Sequence, residues 1–281
     1  MMVENVHKTG SIDYLKRSLT GKKQVVWKKI VNYVLVLFLF TFLYWSFTYL
    51  NIPIRRFLTM WGPIGYKIHQ LFLPPDFGYL NNMKLLRSIV QTFQLAFLGT
   101  VVGLILCVPL AWFAAINVTP SKFILYPISR GIIILSRSIY EIIWAILFTM
   151  ILGFGPLAGT LTCILATIGF SGKLMAEEVE AIRVGPIEAI RAAGGNELDV
   201  FFYAIIPQVR VAWAGTAIYS WDATFRLATI LGYVGAGGIG MYLRETIEML
   251  DYPKTGMTLI VIIGLVIVSE VVSANARKKI M

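Results

Sequence analysis

Residues 188–207 read Glu188-Ala189-Ile190-Arg191-Ala192-Ala193-Gly194-Gly195-Asn196-Glu197-Leu198-Asp199-Val200-Phe201-Phe202-Tyr203-Ala204-Ile205-Ile206-Pro207. The punctuation of this stretch is physical. Gly185-Pro186, just before it, ends one helix and starts another, because proline is tolerated at a first helical position. Gly194-Gly195 stops that helix, since glycine accepts the left-handed cap conformation. Asn196 is a good N-cap, and Glu197 and Asp199 place negative charge in the first turn that follows. Pro207 opens the next long helix. The expectation is helix, sharp turn, short helix and second sharp turn, set between the apolar runs Pro156–Gly172 and Gln208–Val234.

Working outward, four more runs are long and apolar: Val31–Leu50, Ile89–Ala115, a stretch within Phe123–Leu152, and Met257–Ala274. A span needs ~20 mostly apolar residues, and in lipid a helix satisfies its own backbone groups. The chain has 281 residues, 57% hydrophobic and only 14% charged, against about a quarter charged in soluble domains. The fold class expected is all-α, a polytopic membrane protein with six transmembrane helices. The net charge of +10 would suggest nucleic acid in a soluble protein, but here the basic residues gather at segment ends. The N-terminal arm carries Lys8, Lys16, Arg17, Lys22, Lys23, Lys28 and Lys29, and the C-terminus carries Arg277-Lys278-Lys279. Excess lysine and arginine marks the cytoplasmic side, so both termini are expected in the cytoplasm, with 173–207 as a cytoplasmic loop. Arg55, Arg56, Lys67, Lys84 and Arg87 in the outer segment 51–88 run against that rule, which long loops obey poorly. Their mixture with Trp61, Tyr66 and Phe72 fits an interfacial segment. No cleavable signal peptide is expected, because the first apolar run is full length and lacks a small-residue cleavage site.

The loop has a specific resemblance. Glu188, Ala189, Gly194, Ile206 and Pro207 match in type and spacing the coupling-loop signature of ABC importer permeases. Ile190, Gly195 and Ala204 are mild departures. The resemblance implies the type I importer permease fold, with Glu188, Ala189, Gly194, Gly195, Asn196, Ile206 and Pro207 carrying the movement of a separate ATPase subunit to the membrane. Residues 1–84 are then an N-terminal arm, first span and long outer segment, and 85–281 are the transport core.

Further matches narrow it. Arg137-Ser138-Ile139-Tyr140-Glu141, Trp144-Ala145, Gly153-Phe154-Gly155-Pro156 and Leu231-Gly232-Tyr233-Val234-Gly235-Ala236-Gly237-Gly238-Ile239-Gly240 resemble permeases of the phosphonate importer family, across roughly 82–279. The implied system is a homodimer of this chain in a bacterial cytoplasmic membrane. Two ATPase subunits bind ATP and Mg, and an extracytoplasmic binding protein delivers a phosphonate or related phosphorus oxyanion such as phosphite or hypophosphite. Methionine-type permeases share the glycine-rich element less fully and stand as the alternative cargo. Tyr140, Asp222 and Thr224 depart from the family pattern near the implied pathway.

Charges inside spans are costly and face a cavity or a partner. Asp222 and Arg226 lie four apart on one face of the fifth span. Arg226 offers a fork suited to an oxyanion, with Asp222 holding it, and the pair equally fits a lock between helices. Arg137 and Glu141 form a second such spacing on the third span and are expected to be structural. With Thr224, these are the expected translocation-path residues. Gly235, Gly237, Gly238 and Gly240 are implied at the outer mouth by the resemblance, and by themselves fit a close-packed turn. Gly235–Gly240 also satisfies GxGxxG, but a dinucleotide site needs a preceding strand and an acid ~20 residues on, and neither is legible. Gly172-Lys173-Leu174 misses a P-loop, so ATP is expected on another chain. No catalytic set is evident, His7 and His69 are too far apart for a metal site, and Cys107 and Cys163 sit singly in apolar runs. A stand-alone secondary carrier would show inverted repeats, and none is seen. A membrane enzyme lacks its catalytic groups.

Overall fold

The protein is described by a computed structural model that covers residues 29–50, 59–72 and 77–280. Lys8 to Lys28 of the basic arm, and Arg55 and Arg56, lie outside the described residues. The contacts divide the chain into one unit up to Lys67 and another from Ile68. In the first, α1 (Lys29–Tyr49) is long and apolar enough to span a membrane. It buries none of its apolar window and carries an aromatic ladder, Phe38–Phe42–Trp45–Tyr49, with ring centroids 6.3, 6.0 and 5.5 Å apart. A second helix, α2 (Trp61–Phe72), follows within residues 51–88, and the division falls inside it.

The second unit is a helical bundle. Its elements are α3 (Met83–Ala114), α4 (Leu125–Ser138), α5 (Glu141–Leu152), α6 (Pro156–Glu180), α7 (Gly185–Ala192), α8 (Ile206–Leu231), α9 (Ile239–Glu248) and α10 (Tyr252–Ile280). The helices α1, α3, α6, α8 and α10 fall on five of the six expected runs. The sixth, the run within Phe123–Leu152, is broken: it is two helices, α4 and α5, that meet at 92° and together make one span as a bent pair. The break falls at Ile139-Tyr140, both extended in backbone conformation.

The second sharp turn of the loop is also absent. Glu197–Asp199 runs through a π-helical stretch, Val200–Ile205, straight into α8. Pro207 would break a regular helix because its ring clashes with the carbonyl four residues back. The wider π turn, in which the Ile206 N–H reaches the Phe201 carbonyl, gives that ring room and lets the helix continue.

The bundle is organised on α3 and α6, which cross closely through small residues. Gly99 and Gly103, one helical turn apart, face Cys163 and Thr167. A Cβ on Gly99 would collide with Cys163 Cβ, and one on Gly103 would stand 2.6 Å from Thr167 Cβ. This is small-residue packing of the GxxxG kind, by which membrane helices gain van der Waals contact. Buried residues gather at both ends of this seam. At the loop end, Ile187 of α7, Val200 and Ile205 join Trp112, Val179 and Trp213. At the other end, Leu95, Cys163, Phe225 and Ala236 pack together.

Candidate functional site

The loop between α6 and α8 is stiff at its tip and tied at its base. At the tip, the Gly195 N–H reaches the Ile190 carbonyl at 3.0 Å and the Gly194 N–H reaches the Arg191 carbonyl at 3.0 Å. That is the Schellman pair of bonds. Gly194 has φ +86, and a Cβ on Gly195 would meet Ile190 Cγ2 at 2.6 Å. Asn196 then caps the next turn reciprocally: the Asp199 N–H donates to Asn196 Oδ1 at 2.9 Å, and the Asn196 N–H donates to Asp199 Oδ2 at 2.8 Å. Arg191 and Glu197 pair across the turn at 3.0 Å. Glu188, Ala189, Gly194 and Asn196 are exposed, as are Leu198, Phe202 and Tyr203. A rigid, exposed knob with apolar side chains therefore projects from the bundle, anchored from beneath by Ile187.

At the base, Gln208 clamps the two ends of the loop. Its Oε1 accepts from the Arg183 N–H at 3.0 Å, while its Nε2 donates to the carbonyls of Ala204 at 2.8 Å and Arg183 at 3.4 Å. Beside it, Arg130 donates to the Ala114 carbonyl at 2.7 Å and pairs with Glu180 at 2.6 Å. Glu180 also accepts from the Ile116 N–H at 3.1 Å. These contacts join the ends of α3, α4 and α6 to one another and the two ends of the loop to α8. Neither Gln208 nor Arg130 was identified from sequence. Glutamine and arginine at helix ends are ordinary, and the partners that tie them to other segments, Ala114, Arg183 and Glu180, lie 16 to 50 residues away.

A groove runs between α6 and α8. One cavity of about 300 Å³ is lined by Tyr140, Glu141, Thr167, Ser220 and Thr224 among others. A second, of about 740 Å³, lies toward the loop and includes Glu178, Gln208, Thr216 and Arg277. Phe170 borders both, and its ring lies 5.3 Å from that of Tyr219, which lines the larger one. Within the second cavity, Thr216 donates to Glu178 Oε1 at 2.8 Å.

Of the charged and polar path residues expected, Thr224 and Glu141 reach the first cavity. Asp222 and Arg226 do form an ion pair, with Asp222 buried and Arg226 half exposed. They lie on another face of α8, where Ser269 of α10 approaches Asp222 at 3.5 Å, and neither lines either cavity. Arg137 and Glu141 are not a pair on one helix face. They stand on opposite sides of the α4–α5 break, Arg137 in the last turn of α4 and Glu141 in the first turn of α5.

Gly235, Gly237, Gly238 and Gly240 are buried. The first three have φ of +92, +86 and +77, a region where glycine alone is unstrained. The turn is held from outside itself. Gly155 N–H donates to the Gly235 carbonyl at 3.0 Å, Gly238 N–H donates to Gln91 Oε1 at 3.1 Å, and Ile239 N–H donates to Thr92 Oγ1 at 2.8 Å. Gln91 and Thr92 thereby serve the unpaired first N–H groups of α9. A helix precedes this turn, not a strand, so the GxGxxG spacing has no dinucleotide-binding context.

A helical membrane core, a capped loop knob and a groove beside it define a polytopic helical membrane protein of the type I ABC importer permease fold. The family model for the inner membrane component of binding-protein-dependent transport systems matches residues 107–279, and the chain belongs to that family. It is 36% identical over 229 residues to the phosphate-import permease protein PhnE of Mycolicibacterium smegmatis, covering 82% of this chain and 42% of the relative's length. It is 35% identical over 206 residues to the phosphite transport system permease protein PtxC of Stutzerimonas stutzeri, covering 73% of this chain and 74% of that one. Among solved structures, it resembles a chain of the MetNI methionine ABC transporter in an inward facing conformation, with TM-score 0.59 and 19% identity, covering 70% of this chain and 96% of that chain. It also resembles a chain of a bacterial ABC transporter for the acidic polysaccharide alginate, with TM-score 0.53 and 16% identity, covering 82% of this chain and 96% of that one. At such identities, the structural likeness speaks for the fold.

Proposed function

We propose that this chain is the membrane permease of an ATP-driven importer for a phosphorus oxyanion, with phosphite and phosphonates as the leading cargoes. The observation that carries the transport role is the loop knob. Its helix-stopping glycines and reciprocal Asn196–Asp199 cap hold exposed Leu198, Phe202 and Tyr203 on a short lever. The two relatives above, whose names specify phosphate and phosphite, support the phosphorus-oxyanion class, and the residue resemblance to phosphonate importer permeases adds phosphonates. The knob docks on a separate ATPase subunit that binds ATP and Mg. A second copy of this chain completes the pathway, and an extracytoplasmic binding protein delivers the anion. Both termini face the cytoplasm, in keeping with Arg277, Lys278 and Lys279 in the last turn of α10.

The test is reconstitution with the ATPase and the binding protein. ATP-dependent uptake of phosphite or a phosphonate is expected, and methionine should be refused. Gly194→Val should release the ATPase subunit on purification, because a β-branched residue at a positive φ remakes the turn. Uptake by this chain alone, driven by a proton gradient, would overturn the reading.

A further inference from the structure

The smaller cavity between α6 and α8 has a distinctive chemistry. Its polar wall consists of the hydroxyls of Tyr140, Thr167, Ser220 and Thr224 and the carboxyl of Glu141, without lysine, arginine or histidine. Thr167, Ser220 and Thr224 are buried. The helix α5 starts at this wall with Glu141; the Ile143 and Trp144 N–H groups are taken by the Tyr140 carbonyl, so the N–H of Glu141 is the first-turn donor nearest the cavity, where a helix start favours negative charge. We propose that this cavity is a transit site for a protonated phosphorus oxyanion. The anion accepts hydrogen bonds from Ser220, Thr224 and the start of α5, and donates one from its P–OH group to Glu141. The proposal rests on the oxyanion-importer reading above.

Three features carry it. First, an anion held by neutral donors is held weakly, which a conduction site needs, because binding must allow exit as well as arrival. A fixed guanidinium would form strong, bidentate bonds to the same oxygens, and the nearby Arg226 faces elsewhere. Second, Glu141 repels a ligand that offers only lone pairs but accepts a hydrogen bond from one that carries a P–OH group. The site therefore separates singly protonated phosphite from hypophosphite, whose anion has no hydroxyl. Third, the hydroxyls are engaged within the protein itself. Thr167 donates to the Cys163 carbonyl at 2.8 Å, so its 3.4 Å contact with Thr224 uses the Thr224 proton. Ser220 donates to the Thr216 carbonyl at 2.7 Å, so its bond with Ser171 uses the Ser171 proton. Both inter-hydroxyl bonds cross the α6–α8 seam. An anion recruits Thr224 by replacing its contact with Thr167, and recruits Ser220 by turning its proton away from the Thr216 carbonyl, so occupancy loosens the α6–α8 seam.

The experiment uses the permease assembled with its ATPase subunit. In liposomes supplied with the binding protein, Ser220→Ala/Thr224→Val should lower phosphite uptake about tenfold or more, the penalty of a polar site that loses its partners. Thr224→Ser, which keeps the hydroxyl, should retain most uptake. In detergent without the binding protein, the complex should broaden the 31P resonance of phosphite more than that of hypophosphite. Glu141→Gln should bring the two anions level. Uptake by the double variant at the wild-type rate overturns the transit site, as does equal loss in Thr224→Ser or a Glu141→Gln complex that still discriminates. If the wild-type system takes up no phosphorus oxyanion at all, it is the importer reading that falls.

Discussion

At the scale of single residues, the most informative pair is Asp222–Arg226. Its i,i+4 spacing was legible in the sequence, and so was its position in a span. Its direction was not, because it depends on α10 bringing Ser269 to Asp222. A buried carboxylate beside a half-exposed guanidinium is asymmetric. Removing Arg226 strands a buried charge, whereas removing both charges strands nothing. Removing one partner of a buried pair costs roughly 3–5 kcal/mol, because it leaves an uncompensated buried charge. Arg226→Ala should therefore lower the unfolding temperature of the detergent-purified complex, and Asp222→Asn/Arg226→Ala should recover most of the loss. A double variant no more stable than the single one would show that the pair does not act as a lock. If Arg226 instead attracts the anion, the double variant regains stability but not uptake, which separates the two roles in one series.

At the scale of elements, the sequence was most misleading where charge was read with the wrong geometry. Arg137 and Glu141 suit an i,i+4 pair on a continuous helix. They suit equally a basic last turn followed by an acidic first turn, the pattern in which each side chain complements a helix dipole. No proline or glycine marks the break between α4 and α5, so the apolar run hid it. The opposite happened at Pro207, where a strong stop signal was absorbed by a π turn. The capped turn was legible throughout, because its determinants are local: Gly194, Gly195, Asn196 and Asp199 act within five positions of one another. Replacing Asn196 with Ala removes one reciprocal cap and should destabilise the turn by about 0.5–2 kcal/mol. Faster protease cleavage at Arg191 in the permease freed of ATPase would report it, and unchanged cleavage would show that the Schellman bonds suffice. The α3–α6 crossing, by contrast, was not read from the sequence: Gly99 and Gly103 stand in a GxxxG spacing whose partners, Cys163 and Thr167, only the packing reveals. Gly103→Leu should prevent close approach of the two helices and abolish accumulation of folded protein. Gly131→Ala, at a glycine with open space around its Cβ position, should leave accumulation unchanged.

At the scale of the whole molecule, six apolar runs and their charged ends set an architecture before any contact is considered. The contacts between distant segments are what sequence could not supply. Gln91 and Thr92 meet the glycine turn from 147 positions away, and Thr167, Ser220 and Glu141 share a cavity only because α6 and α8 lie beside the α4–α5 break. Orientation sits between these cases. It follows from basic residues alone, and the arginines and lysines of the outer segment oppose it. Both native cysteines, Cys107 and Cys163, are buried, which makes the question accessible to a membrane-impermeant maleimide with little background. A cysteine at Lys279, exposed at the end of α10, belongs on the cytoplasmic side. A cysteine at Glu248, well exposed at the end of α9, belongs outside, one span away. Intact spheroplasts should therefore label Glu248→Cys and spare Lys279→Cys, and inside-out vesicles should reverse the pattern. The inverted result would place the Glu188–Pro207 knob outside the cell, where no ATPase could reach it, and the coupling role would fall with the orientation.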